Sequence, residues 1–351
     1  MNKILVLILG LSLTAAGCNI LGSGSTGNTG AKGVLKSDDG GKNFLLMNTV
    51  NKKANISGVS VNTLIFDSKN SDIVYLGASD GIYKSIDAAG TWNKILQGMA
   101  VSDMAADTFS GDVIYAAGMA GANGKLIKSP DGGATWTDLY TEPSKTASVA
   151  SVTVSKANSK ILMAGLSTGE IIRSTDGGLT WQVVKKLADT LVSLRFYNTT
   201  TAYALTLTKG LNKSTDQGSS WEALPISTST NADNINSMGI SRYLDMAFDR
   251  KLSSVIFLAT DAGLMRSVDN GATWSTIYLP VKDTSLKVTA TSVHPSDSNT
   301  IFIAIGSTML KSTNGGVTWE TIKVPTGQTV RQILINPTST NIIYLGMGNK
   351  K

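Results

Sequence analysis

This 351-residue chain is predicted to be all-β: a seven-bladed propeller of four-stranded antiparallel blades. Three observations carry that expectation. One short stretch recurs seven times, its serines spaced 40 to 53 residues apart. Between recurrences, short β-rich apolar runs alternate with polar, glycine-containing turns, and no segment has a helical apolar period. The two ends of the chain hold complementary parts of one unit. Four strands in a repeat of about 40–50 residues is the pattern of a propeller blade.

The first segment is not part of a blade. "MNK" supplies a positive charge, and Ile4 to Leu13 form an apolar run. That run is too short to cross a bilayer, which takes about 20 residues, but it fits the core of a secretory signal. Ala15, Ala16 and Gly17 then lead into Cys18, the only cysteine. The arrangement resembles a bacterial lipobox, with Ala15 where leucine is commoner. The resemblance implies cleavage before Cys18 and lipidation of that residue. Residues 1–17 are therefore expected to be a signal peptide. Residues 18–32, rich in Gly, Ser, Thr and Asn, read as a flexible tether. Residues 33–351 form the propeller. With no further cysteine, no disulfide can stabilise it.

The recurring stretch is best seen in "SPDGGATW", with Ser129, Asp131, Gly133 and Trp136. Earlier in the chain stand Ser37, Asp39, Gly41 and Phe44, and then Ser85, Asp87 and Trp92 with Ala89 in the glycine place. Ser174, Asp176, Gly178 and Trp181 follow, and then Ser214, Asp216, Gly218 and Trp221. The last two copies are Ser267, Asp269, Gly271 and Trp274, and Ser312, Asn314, Gly316 and Trp319. A lysine or arginine precedes each serine, and all six tryptophans end a copy. Ahead of the turns lie runs such as "DIVYLGASDGIYKS" and "TIFIAIGSTMLKS", each two strands joined by a tight turn. Val330 to Asn349 has the first two strands of a unit and no such turn, whereas the turn at Ser37 has no such strands before it. Pairing the two ends completes a seventh blade and removes exposed sheet edges.

These copies resemble the Asp-box, or BNR, motif S-x-D-x-G-x-T-W, and the resemblance covers nearly all of the chain from Gly33 onward. Small departures are Ala89, Ser220, Asn314, Asn43 and Phe44. The physical role expected of the turn is local. Glycine adopts backbone conformations that other residues resist. Ser and Asp side chains bond neighbouring backbone groups. The tryptophan buries a large apolar area. A calcium loop needs several carboxylates, and most copies offer one, so no metal is expected there.

Chemistry has to come from elsewhere. Several Asp-box families are glycosidases. Glycoside hydrolysis needs two facing carboxylates, and sialidases add an arginine cluster and an F/Y-R-I-P segment, which is missing from this sequence. Loops opposite the repeated turns carry Asp80, Glu142, Glu170, Asp189, Asp233, Asp261 and Asp283, scattered over different blades. Tyr75, Tyr115, Tyr203 and Tyr344 are expected in the core. Tyr140 and Tyr278 follow fourth strands. With Lys145, Lys186, Lys282 and Lys287 they form the candidate contact face. His294 aligns with Asp67 and Asn336 at a turn start, and as the only histidine it supports no Cys/His or Ser/His nucleophile arrangement. The net charge of +6 is scattered, with no basic run longer than two, so no nucleic acid is expected. Nor is a cofactor.

A single propeller without long insertions is most similar to the photosystem II stability/assembly factor group of Asp-box propellers, which also resembles the sortilin and sialidase propellers. That resemblance implies an exported, lipid-anchored, monomeric binding scaffold for a membrane or envelope protein. The alternative is an Asp-box glycoside hydrolase or a lectin for cell-surface glycan.

Overall fold

The computed structural model describes residues 30–51, 54–226, 239–281 and 286–349. The signal segment, Cys18 and Lys282 lie outside the described residues, as do Asp233 and Asp283. The described chain has no helix and forms seven four-stranded antiparallel sheets. These are the blades of a propeller. Blade 1 runs Val61–Phe66, Val74–Ala78, Gly81–Ser85 and Asn93–Gln97, from the innermost strand to the outermost. Blades 2 to 6 repeat that order, with innermost strands Met99–Ala106, Val149–Val154, Leu191–Phe196, Tyr243–Phe248 and Val288–Val293.

Blade 7 closes the ring as expected. Its inner strands are Thr329–Ile335 and Ile343–Gly348, and its outer ones are Gly33–Ser37 and Leu45–Leu46. The seam runs antiparallel from Gly33 opposite Met347 to Ser37 opposite Ile343. The outermost strand of this blade is only two residues long. A small hairpin that the sequence reading did not foresee, Thr49–Asn51 with Ala54–Asn55, follows it. Buried Asn48 secures the join: its Oδ1 accepts from Val34 N at 2.8 Å, and its Nδ2 donates to Lys32 O at 2.8 Å.

The second strand of each blade is covered by a neighbour on both faces. Val74–Ala78, Leu162–Leu166, Ala202–Thr206 and Ile256–Thr260 are buried at every residue. Such strands read as continuous apolar runs rather than alternating ones. Tyr75, Tyr115, Tyr203 and Tyr344 lie fully in the core, as their place in these runs predicts. A large apolar side chain moved from water to core contributes about 1.5–3 kcal/mol. Strand pairing places the turns between strands 1 and 2, and between 3 and 4, on one face of the ring. The remaining loops lie on the opposite face.

Candidate functional site

The repeated turn has one geometry in all seven blades. The serine Oγ donates to the acidic or amide oxygen two residues on, at 2.7–3.0 Å. It accepts the backbone N–H four residues on, at 2.7–2.9 Å. The same Oδ1 then accepts the N–H of the residue before the aromatic, at 2.8–3.0 Å. In the seventh blade Asn314 reproduces the pattern without a charge, and its Nδ2 donates to Thr318 Oγ1 at 2.8 Å. Thr135, through its hydroxyl and its backbone N–H, and then Ser129 hold the Asp131 carboxyl down at a pKa of about 2.

The turn also joins blades. Its fourth residue is Gly40, Ala88, Gly132, Gly177, Gln217, Asn270 or Gly315, each in the left-handed region of φ. The N–H of that residue bonds the first turn of its own blade at 2.7–2.9 Å in every case. Its carbonyl accepts from the preceding blade: Lys84 Nζ reaches Gly132 O, Arg173 Nε reaches Gln217 O, and Lys311 Nζ reaches Gly40 O, at 2.9–3.0 Å. Tyr344 Oη does the same for Ala88 O at 3.1 Å. Three of the seven basic residues ahead of the serines thus tie their blade to the next. Five of those cations also lie 5.4–5.9 Å from the centre of a second-strand aromatic ring, within cation–π range. The glycine of the turn gives the previous blade room. A Cβ on Gly133 would come within 2.3 Å of Ile95 Cδ1, and one on Gly178 within 2.8 Å of Leu139. The tryptophan indole N–H of Trp181, Trp221, Trp274 and Trp319 closes on that glycine's carbonyl at 3.1 Å. These turns hold each blade together and bind it to its neighbours.

His294 occupies the start of a first turn, where its Nδ1 accepts from Ser296 N at 3.3 Å. Asp67 and Asn336 cap the equivalent turns of their own blades.

Charge that the sequence reading missed sits on the innermost strands. Arg195 of blade 4 donates from Nη1 to Asp103 Oδ2 of blade 2 at 2.6 Å and from Nη2 to Oδ1 at 3.0 Å. Ser151 of blade 3 lies between them, donating to Asp103 Oδ2 at 2.6 Å and accepting from Arg195 at 2.9 Å. Burial opposes the Arg195 charge, but Asp103, helped by Asp245, outweighs it and raises the pKa. Asp245 accepts from Thr291 N of the next blade at 2.9 Å. A signal for these residues was present: charges on strands whose counterparts in most blades are uncharged.

On the face opposite the repeated turns, Asp80, Glu142, Glu170, Asp189 and Asp261 are each held by hydrogen bonds or an ion pair, some from their own loop and others from a neighbouring strand or loop. Asp80 takes Tyr83 Oη at 2.7 Å and Lys94 Nζ at 2.6 Å. Burial raises the Asp80 pKa, but these two partners outweigh it and hold the carboxyl below the usual range. Thr168, followed by Lys186, lowers Glu170. Burial is likewise outweighed at Asp189, by the N–H groups of Thr208 and Lys209, and at Asp261, by Ser241 and Arg242 N. Glu142 accepts from Tyr140 Oη at 2.6 Å and from Ser144 N at 2.9 Å. A general acid for glycoside cleavage needs a raised pKa, and these four shifts run the other way. Among the described residues no cluster of three or more His, Cys, Asp or Glu could hold a metal.

The candidate contact residues fall in two sectors rather than one. Tyr140, Lys145 and Lys186 belong to blades 2 and 3. Tyr140 is half-buried, edge-on to Trp181 at 6.0 Å between ring centres, and so is part of a blade junction. Lys145 is exposed. Lys186 pairs with Glu170 at 3.0 Å. Tyr278, between blades 5 and 6, is 80% exposed. Lys287 lies at the inner rim, beside Arg331.

No protein-family model and no curated protein matches the sequence. Solved propellers do match its fold. The GH74 xyloglucanase of Xanthomonas campestris superposes with a TM-score of 0.66 at 18% identity, over 83% of this chain and 51% of that one. The GH74 enzyme of Niastella koreensis gives 0.64 at 20%, over 82% and 51%. The chain thus spans about half the length of these enzymes. YCF48 of Cyanidioschyzon merolae gives 0.61 at 16%, over 82% of this chain and 95% of that one. A YCF48 structure with a bound D1 peptide gives 0.63 at 15%, over 84% and 94%. At these identities the likeness is one of fold.

Proposed function

We propose that the chain is an exported, lipid-anchored binding scaffold that holds a membrane or envelope protein against the loop face opposite the repeated turns. The observation that carries this reading is Tyr278, an aromatic 80% exposed on a face whose described loop carboxylates are tied to neighbouring strands and loops. Exposed aromatics on loops supply contact area to partners at low entropic cost. Two further facts support it. YCF48 is matched over 94% of its own length and 84% of this chain, and one of its structures is described as bound to a D1 peptide. The GH74 match is confined to about half of the enzyme.

The other reading, a glycan-cleaving or glycan-binding propeller, rests on that GH74 likeness. It would need two carboxylates about 5–10 Å apart across a sugar. The experiment is a capture. The chain, immobilised, is incubated with detergent-solubilised membranes and cell-wall polysaccharide from its own source. A stoichiometric membrane protein, lost in Tyr278→Ala, is the expected result. Retained or shortened glycan with no protein would overturn the scaffold in favour of the second reading.

A further inference from the structure

The two faces of the ring differ in charge. The face of the repeated turns bears the aspartates of six of those turns, and Asp72, Asp112 and Asp297 besides. Cations of that face, such as Lys42, Lys156 and Arg250, share it with these acids. On the loop face the acids are already engaged. Asp80 is paired with Lys94 and Glu170 with Lys186. Glu142, Asp189 and Asp261 accept from hydroxyl and N–H groups. The cations of the loop face are not used up in this way. Lys145, Lys209, Arg242 and Lys323 are exposed, and their side chains make no ion pair or hydrogen bond with the described residues. Lys145 lies on the loop leaving blade 2, Lys209 in a turn of blade 4, Arg242 on the loop entering blade 5, and Lys323 at the end of blade 6. They are thus spread around the ring. The chain also enters the ring here: Gly33, opposite Met347, is at the loop end of the third strand of blade 7. Residues 18–32, which separate Cys18 from that strand, reach at most about 50 Å.

We propose that the loop face docks on a bilayer surface bearing anionic headgroups, through Lys145, Lys209, Arg242 and Lys323. The inference rests on the lipid-anchored reading above and deepens it, since it gives the ring its own grip on the membrane that holds the partner. Cations spread over separate loops around the ring fit a planar, continuous partner, where a cleft would fit a single acidic group. Lys and Arg are drawn to an anionic leaflet once they come within the screening length, about 8–10 Å at ordinary salt. A lipid at Cys18 keeps the loop face within reach of that surface. A single acyl chain anchors a protein only reversibly, and a basic surface is the usual second grip. The turn face, with its row of aspartates, is left towards solvent.

The test reconstitutes the full chain into vesicles of phosphatidylcholine, with or without phosphatidylglycerol, that carry a quencher at headgroup depth. A fluorescent residue is placed at Ala122, exposed in the tight turn of blade 2 on the loop face, or at Leu179 on the turn face. With phosphatidylglycerol present, quenching at position 122 should exceed that at position 179 several-fold. The excess should vanish without phosphatidylglycerol, and in 1 M salt, where the screening length is about 3 Å. Lys145→Glu combined with Arg242→Glu and Lys323→Glu should abolish it while the chain stays on the vesicles. Quenching at position 179 that equals or exceeds that at 122 overturns the docking. So does an excess that salt, lipid charge or the triple variant leaves unchanged, and so does a chain left in solution. A chain that captures a membrane protein yet shows equal quenching at the two positions sinks the docking alone. A chain that docks yet captures nothing sinks the scaffold and leaves the docking.

Discussion

Arg195 and Asp103 join blade 4 to blade 2 through a two-pronged ion pair, with contacts of 2.6 and 3.0 Å, reaching past the intervening Ser151. Neighbouring blades are held by packing and by the hydrogen bonds to the turn carbonyls. This pair instead fixes blades that are not neighbours. Asp103 is buried, while the Arg195 side chain keeps 40% of its accessibility.

Removing one partner should therefore cost more than removing both. Arg195→Met leaves Asp103 buried with its hydroxyl and backbone donors but without its counter-charge. We expect a loss of roughly 2 kcal/mol, below the 3–5 kcal/mol of a fully buried pair because Arg195 meets solvent. Asp103→Leu with Arg195→Met should recover part of that loss. Urea unfolding of the two single variants and the double variant measures the coupling. Additive losses would show that the pair does not lock the ring.

The serine of the repeated turn should matter more than its small size suggests. Ser174 Oγ accepts from buried Gly178 N at 2.8 Å and donates to Asp176 at 2.7 Å. Ser174→Ala leaves that N–H without an acceptor and should cost about 1–3 kcal/mol. An equilibrium unfolding midpoint unchanged from the parent would contradict this.

The turn aspartates set an acid limit. The Asp131 carboxyl has its pKa held near 2 in the folded chain, against about 3.9 unfolded. Its contribution is thus complete above pH about 4 and is lost as the pH falls through the folded value. Melting temperature should be level from neutral pH to about 4 and fall below it. Asp131→Asn, which copies Asn314, should fold and should make that fall shallower. A steeper fall in the variant would be the wrong sign.

Gly133 is predicted to resist even alanine. Its φ is +95°, and the added Cβ would meet Ile95 of blade 1. Gly133→Ala should cost about 1–3 kcal/mol through overpacking. Ala89 already fills the equivalent place in blade 1 at φ +70°, so Ala89→Gly should be tolerated. The pair of variants, compared by thermal melting, separates strain in the backbone from crowding between blades.

Most of the architecture was legible because each blade repeats its local chemistry. Serine, aspartate, glycine and tryptophan recur at fixed offsets, and the truncated units at the two ends imply the seam between Gly33–Ser37 and Ile343–Gly348. The functional face was less legible. Tyr140 and Tyr278 both follow or end outer strands, and only packing tells them apart: one lies on Trp181 and the other in solvent. Arg195 and Asp103 stand 92 residues apart, on strands with no counterpart charge in most blades, so no spacing joins them.

The measurement that bears most directly on the binding face is site-specific photo-cross-linking during the capture. A photoreactive residue is placed at Tyr278 on the loop face, and in a second variant at Leu179, 83% exposed on the face of the repeated turns. A cross-linked membrane protein is expected from position 278 and none from position 179. Cross-linking from position 179 alone would place the partner on the turn face and contradict it.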